Sequence, residues 1–539
     1  MPNSEPNRRR TAPAAVAVLT AAALATALAA PATAATSAAT GPSSATAPYV
    51  LPVADGVHIT SLLTVNDAKS ASNGYEMVGI PDGLGMIRQG ANLVLYMNHE
   101  LRDTQGIVRR HGQTGAYVSR YVIDPDTLRV KEGSDWINPG VRYWDYPTGT
   151  YVTSGPRFAD GAAQDLTFGR FCSSTLSDPG VFYNEATKTG YKGQIYFGNE
   201  EDGDNGRAFG ITKEGDATAL PRLGLFQWEN TIPAPNQTNT TLVMGQEDGP
   251  AGNVSQLWVY VGTKQKSGPP VAKAGLTNGD DHVIDAVNQA VSTDTEWRAT
   301  YGTGVAAPVR IVDNEWNQSG AGQNADALAD GLSLNRIEDG YWDPQHPNDF
   351  YFLTTEGGQN NGESPSSLLY RDGGGLWKLS WEDIEDPDAG ATLTLLLDGS
   401  EDLGAGEAKM HKPDNMAMDT HGNLLIQEDP GNVNHIARIV AYRVSDGALG
   451  VVARFDSTLF SIGATADPTK FTTDEESSGI IDAEAFLGAG TFVFDAQVHT
   501  AKNLPAGTGP GTVQEYVENG QLLTLKVDNW STVYTVHPS

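Results

Sequence analysis

The sequence predicts an all-β fold, a six-bladed β-propeller, on three observations. Glycine (60) and proline (30) are frequent among the 539 residues and cut the chain into short apolar runs between turn signals. No long stretch keeps a 3.6-residue apolar period, so helices are not the repeating element. One unit also recurs six times: an acidic or polar start, a turn of Gly, Asp, Asn or Pro, and an apolar strand ending in polar residues.

The elements follow in order. Arg8-Arg9-Arg10, the Ala-rich run 14–30 and Ala32-Thr33-Ala34 predict a signal peptide over 1–34, cleaved after Ala34, with export by the Sec or twin-arginine route. Residues 35–48, rich in Ala, Ser, Thr, Gly and Pro, read as a disordered leader. The propeller domain is expected over 49–539. Its first hairpin runs from Pro81-Asp82-Gly83 to Asn98-His99-Glu100, and its second from Phe171-Cys172-Ser173 to Asn199-Glu200-Glu201. The third is placed from Gln246-Glu247-Asp248 to Leu257–Tyr260, and the fourth from Asn335-Arg336-Ile337-Glu338 to Leu353 and Glu356. The fifth is the clearest, Pro413-Asp414-Asn415 to Gln427-Glu428-Asp429 around His421-Gly422-Asn423. Two further strands turn at Asp446-Gly447 and complete a four-stranded blade. The sixth runs from Ser478-Gly479-Ile480 to Gln497 and His499. Apolar runs in 49–66 and 520–537 are expected to close the ring from both termini, which removes exposed sheet edges.

A formal charge of −31 argues against nucleic acid and anionic membranes as partners. No run after the signal peptide approaches the ~20 apolar residues of a membrane span. The single cysteine, Cys172, excludes an intramolecular disulfide. A monomer is expected. The chain carries no G-x-S-x-G elbow, H-E-x-x-H, P-loop or dinucleotide fingerprint.

In an antiparallel hairpin the first strand's start lies beside the second strand's end. Asp414 is therefore expected near Glu428 and Asp429, Cys172 near Glu200 and Glu201, and Asp82 near Glu100. If these strands line the channel, their polar ends meet at one mouth. Carboxylates so gathered repel one another and need protons or cations. Oxygen-rich clusters suit Ca2+, whereas a thiolate suits a softer transition metal. Arg336 is a candidate phosphate clamp through two parallel hydrogen bonds, or a salt-bridge partner of Glu338 or Glu356.

These pieces resemble the PhoX-type secreted alkaline phosphatases: Asn98-His99-Glu100, the lone Cys172 followed by Glu200-Glu201, Arg336-Ile337-Glu338, Pro413-Asp414-Asn415-Met416, Gln427-Glu428-Asp429 and Gln497-Val498-His499. The resemblance implies a phosphomonoesterase acting on a small phosphorylated substrate, with calcium and iron at the channel mouth. It implies Cys172 as an iron bridge and Arg336 as the phosphate-binding residue. Glu100, Glu200, Glu201, Glu338 and Asp414 would be metal ligands, and Glu247 a further one. The chain departs from the family where Ser173-Ser174-Thr175-Leu176-Ser177 replaces a Gly/Thr/Trp-rich segment and where the interval from Cys172 to Glu200 is long. The alternatives are a calcium-dependent propeller hydrolase of phytase or lactonase type, or a calcium-stabilised extracellular binding propeller.

Overall fold

Short apolar runs bounded by turn residues form antiparallel hairpins wherever the turn can be closed locally. In the fifth hairpin, Asp419 accepts the N–H groups of His421 and Asn423 (2.8 and 2.9 Å), and Gly422 takes the left-handed φ of +78°. A computed structural model describes residues 35–537 except 251, 253, 358–372, 405, 432–434 and 464. The expected signal peptide, 1–34, lies outside the described residues.

The architecture is all-β and propeller-like. Four sheets have the form of blades. One holds Pro81–Gln89, Asn92–His99, Tyr117–Ile123 and Val130–Asp135, and a second Ile195–Asn199, Ala208–Thr212 and Ala217–Ala219. A third runs outward from Pro413–Met418 through Asn423–Glu428, Arg438–Arg443 and Leu449–Phe455 to Val50–Pro52. The fourth runs from Glu475–Asp482 through Thr491–Val498 and Asn519–Val527 to Val57–Thr64 and Ser37–Thr40. Nine further strands form one sheet whose end strands, Trp228–Pro233 and Ile337–Trp342, come back alongside each other and nearly close it, and two short two-stranded ribbons complete the described strands. Apolar faces pack between neighbouring sheets; Ala417, Leu425, Ile439, Phe492, Phe494 and Leu523 share one such core.

Six hairpins repeat one register. In each, the backbone carbonyl just before the inner strand accepts the N–H just after the second strand. The pairs are Ile80 with Glu100, Arg170 with Glu201, Gln227 with Asp248, Arg336 with Thr355, Lys412 with Asp429 and Asp474 with His499, at 2.9–3.2 Å. Side-chain bonds join successive hairpins: Asn98 to the Cys172 carbonyl, Asn199 and Asp339 both to Asn230, Asp339 to the Met416 N–H, and Gln427 to Ser477. Gln497 then reaches Glu100, and the sixth hairpin lies beside the first.

Two expectations require correction. The third hairpin begins one strand earlier than placed. Thr240–Glu247 does pair with Leu257–Thr263, but it is the second strand, and Trp228–Pro233 is the inner one. Residues 35–48 are not a disordered leader. Ser37–Thr40 pairs in parallel with His58–Ser61, and Asp67 accepts from Ser44 Oγ and the N–H groups of Ala45 and Thr46. Ladder and turn hydrogen bonds order a segment that buries little apolar surface, which composition does not register. The termini close the sheets as expected, with one addition: Val57–Thr64 pairs Asn519–Val527, while Val50–Pro52 joins the neighbouring sheet. Among the described residues, no helix is long and apolar enough to cross a membrane.

Candidate metal centre

The shared register gives each hairpin three equivalent positions. The residue before the inner strand is the leading position, the second residue of the inner strand faces the axis, and the residue after the second strand closes the hairpin. The axial positions are Asp82, Cys172, Glu229, Glu338, Asp414 and Glu476: five carboxylates and one thiol. The closing positions are Glu100, Glu201, Asp248, Thr355, Asp429 and His499. In the first, third, fourth and fifth hairpins the pairing bulges at the axial residue and the one after it, and in the sixth it shifts two residues further on. Such bulges re-aim side chains.

Three overlapping groups follow around this ring, each with its ligand-type atoms within 4.8 Å of one another: Asp82, Glu100 and Cys172; Cys172, Glu201 and Glu229; Glu229, Glu338 and Asp414. Cys172 Sγ lies 3.4 Å from Asp82 Oδ2. Burial, then the neighbouring carboxylates, push Asp82, Glu229, Glu338 and Asp414 well above the usual carboxylate range. The Cys172 thiol is raised for the same reasons. Glu201 is raised to about 8, burial outweighing the Arg170 guanidinium beside it.

The donor set fits cations. Among the described residues, buried Glu229 Oε1 and the side-chain carbonyls of Gln427 and Gln497 have no hydrogen-bond partner. Glu338 Oε1 has, among the described residues, the Arg336 guanidinium alone, at 3.4 Å. Carboxylate and amide oxygens left in this state suit a hard divalent ion, and the thiol adds one soft ligand. A fourth group, Asp343, His346 and Asp349, sits in a surface turn where Asp343 already accepts the Gln345 and His346 N–H groups. Past the ring, on the turn side, the inner strands line a cavity of about 950 Å³ that takes in Leu84, Ser174, Asn230, Asp339, Met416 and Ile480.

Of the residues singled out from sequence, the structure brings Glu100, Cys172, Glu201, Glu338 and Asp414 together. Glu200 and Glu247 stand apart, because they precede the closing residues and side chains alternate across a strand. Glu200 is held by the Arg207 guanidinium, and Glu247 accepts the Gln256 N–H and Trp258 Nε1, both at 2.9 Å. Arg336 makes two parallel bonds to Asp248 (2.8 and 2.7 Å), not to Glu356. Glu229, Glu476 and Arg170 escaped sequence reasoning, while Asp248 was placed at a hairpin start and Asp82 was paired with Glu100, neither being named a ligand. The interval from Glu229 to Asp248 matches that from Asp82 to Glu100 within one residue, a signal that could have corrected the third hairpin.

Comparison with known proteins agrees with the propeller-like fold. A solved structure, Pseudomonas fluorescens PhoX in complex with vanadate, a transition state analogue, matches at 11% identity over 90% of this chain and 98% of that chain, with a TM-score of 0.56. A luciferin-regenerating enzyme matches more loosely (9% identity, 85% and 94% of the two chains, TM-score 0.33). So does the β-propeller domain of the Trilobed protease from Pyrococcus furiosus (7%, 78% and 79%, TM-score 0.27). No curated protein sequence matches. A family model described as alkaline phosphatase PhoX matches residues 209–484, a span that takes in four of the six axial residues, Glu229 to Glu476, and just over half of the sequence. The chain belongs to the PhoX alkaline phosphatase family.

Proposed function

We propose that this protein is an exported, metal-dependent phosphatase that hydrolyses phosphate monoesters at the carboxylate ring, on one mouth of a six-bladed propeller. The observation that carries the reading is the ring itself: five carboxylates and a thiol at one register, four of the carboxylates pushed well above their usual range by burial and by one another. The vanadate bound by the Pseudomonas protein supports a phosphoryl ligand for this chain as well.

Asp82, Glu100, Glu201, Glu229, Glu338 and Asp414 would hold Ca2+, with Glu476 completing the ring, and Cys172 would hold iron. Such ions neutralise phosphoryl charge, align it for displacement and lower the pKa of water. The chain's own work is positioning. Arg336, half-buried at the edge of the ring, presents a guanidinium fork that now holds Asp248 and would grip two phosphoryl oxygens in the same geometry. Gln227 fixes Glu201 (2.9 Å) and Gln497 fixes Glu100 (3.2 Å). His499 is held charged: burial alone would lower its pKa, but its hydrogen bonds to Glu476 and Glu518 outweigh burial.

The test is elemental analysis of the exported protein with p-nitrophenyl phosphate hydrolysis on the same sample. Calcium with iron and turnover supports the reading. Calcium alone with turnover makes it a calcium-only hydrolase. Calcium without turnover leaves a calcium-stabilised binding propeller.

A further inference from the structure

The leading positions of the six hairpins are Ile80, Arg170, Gln227, Arg336, Lys412 and Asp474. Four of these take a left-handed backbone: Ile80 (φ +49°), Arg170 (+31°), Arg336 (+55°) and Lys412 (+39°). A β-carbon disfavours that region, a strain that glycine or asparagine would relieve. Three of the four instead carry a long cationic side chain at the edge of the ring.

Arg170 repeats what Arg336 does. Arg336 reaches back to Asp248, the closing residue of the preceding hairpin, and touches Glu338 of its own. Arg170 reaches back to Glu100, the closing residue of its preceding hairpin, and binds Glu201 of its own at 2.6 Å. Lys412 has neutral Thr355 in the corresponding place, and its charge acts on Asp429 of its own hairpin. The side chains of Arg170 and Arg336 are 30% and 24% exposed, and both residues stand at the hairpin ends away from the turns.

We infer that Arg170 and Lys412 join Arg336 in binding the phosphoryl group, three cations at one register position forming an anion-binding rim above the carboxylates. The inference rests on the phosphatase reading and deepens it. When cations occupy the ring, Glu100, Glu201 and Asp248 turn to them and their arginines release N–H groups to the substrate. Two guanidinium forks and one ammonium match the spread charge of a terminal phosphoryl dianion. The rim therefore selects monoesters over diesters, which carry a single negative charge.

The experiment uses metal-loaded full-length protein and four variants: Arg170→Gln, Arg170→Lys, Lys412→Gln and Lys412→Arg. Inorganic phosphate affinity is read by calorimetry, KM and kcat are read on p-nitrophenyl phosphate and its bis-ester, and metal content is measured on each sample. Each Gln variant should weaken phosphate binding and raise monoester KM by about 10- to 100-fold. The ratio of monoester to diester kcat/KM should fall, metal content should hold, and the charge-conserving variants should recover most of the loss. Phosphate affinity within twofold of wild type, or loss that tracks metal content alone, overturns the rim and makes Arg170 and Lys412 counter-ions of the carboxylates. Wild-type protein that loads metal yet binds no phosphate overturns the phosphatase reading and the rim together.

Discussion

Replacing Glu229 with glutamine should move the metal-free and metal-loaded protein in opposite directions. Its carboxylate is fully buried, within 4.8 Å of those of Glu338 and Asp414, and one of its oxygens is unbonded among the described residues. Two unit charges at that separation repel by about 3–4 kcal/mol at an effective dielectric near 20. Protons retained by the cluster cancel part of this, so the relief on neutralising Glu229 is about 1–3 kcal/mol at pH 8. Without cations the variant should therefore melt a few degrees higher than wild type. With cations it loses an anionic ligand, and metal affinity should fall by about 10- to 100-fold or more. The metal-induced rise in stability then shrinks by about 1.4–2.7 kcal/mol. Scanning calorimetry at pH 8, in chelator and in Ca2+, reads both arms. Equal destabilisation in both would refute the reasoning and make Glu229 an ordinary packed side chain.

Cys172→Ser should remove iron while leaving calcium content intact, and elemental analysis showing wild-type iron would dismiss the thiol as a ligand. Glu200→Gln removes the negative charge that the buried Arg207 guanidinium pairs with, leaving it neutral acceptors such as the Gln164 side chain and the Asp165 and Thr167 carbonyls. Breaking such a buried pair should cost about 3–5 kcal/mol in denaturant unfolding with no change in metal content; a drop in metal content would make Glu200 a ligand. Asp482 titrates near 6 because it is buried, so the native state holds its proton longer than the unfolded chain. Stability from this group is present below about pH 4 and is lost as pH rises through 6. Asp482→Asn keeps the acceptor for the Glu484 N–H (2.9 Å) and should flatten that slope by on the order of 1 kcal/mol, discounted for partial exposure. Urea unfolding at pH 4.5 and 7.5 measures it, and identical slopes would place the titration elsewhere.

Hairpins whose start and end each form a contiguous motif were legible from sequence, as in Pro413-Asp414-Asn415 and Gln427-Glu428-Asp429. The third was misplaced because Glu247-Asp248, an acid pair ending a strand, has the same composition as one beginning a strand. Glu200 and Glu201 show a second limit. They are adjacent and chemically alike, yet one faces Arg207 and the other the ring, and only register decides which. Arg170 illustrates a third. Its likeness to Arg336 lies in a left-handed backbone and a backward reach, neither of which has a sequence signature. The ring was visible as chemistry before it was visible as a set of residues.

Val57–Thr64 finds its antiparallel partner in Asn519–Val527, so a strand made early waits for one made nearly last. Glu476 and His499, the sixth hairpin's axial and closing residues, belong to the same late stretch. Until that stretch is synthesised, the chain can present only an open arc of carboxylates, free to splay apart and lower their mutual repulsion. Enclosure, and with it the crowding that calls for a cation, comes at once when the arc shuts. Tight ion capture should therefore belong to finished molecules alone, and a chain clipped near its C-terminus should lose its ions before it loses most of its strands.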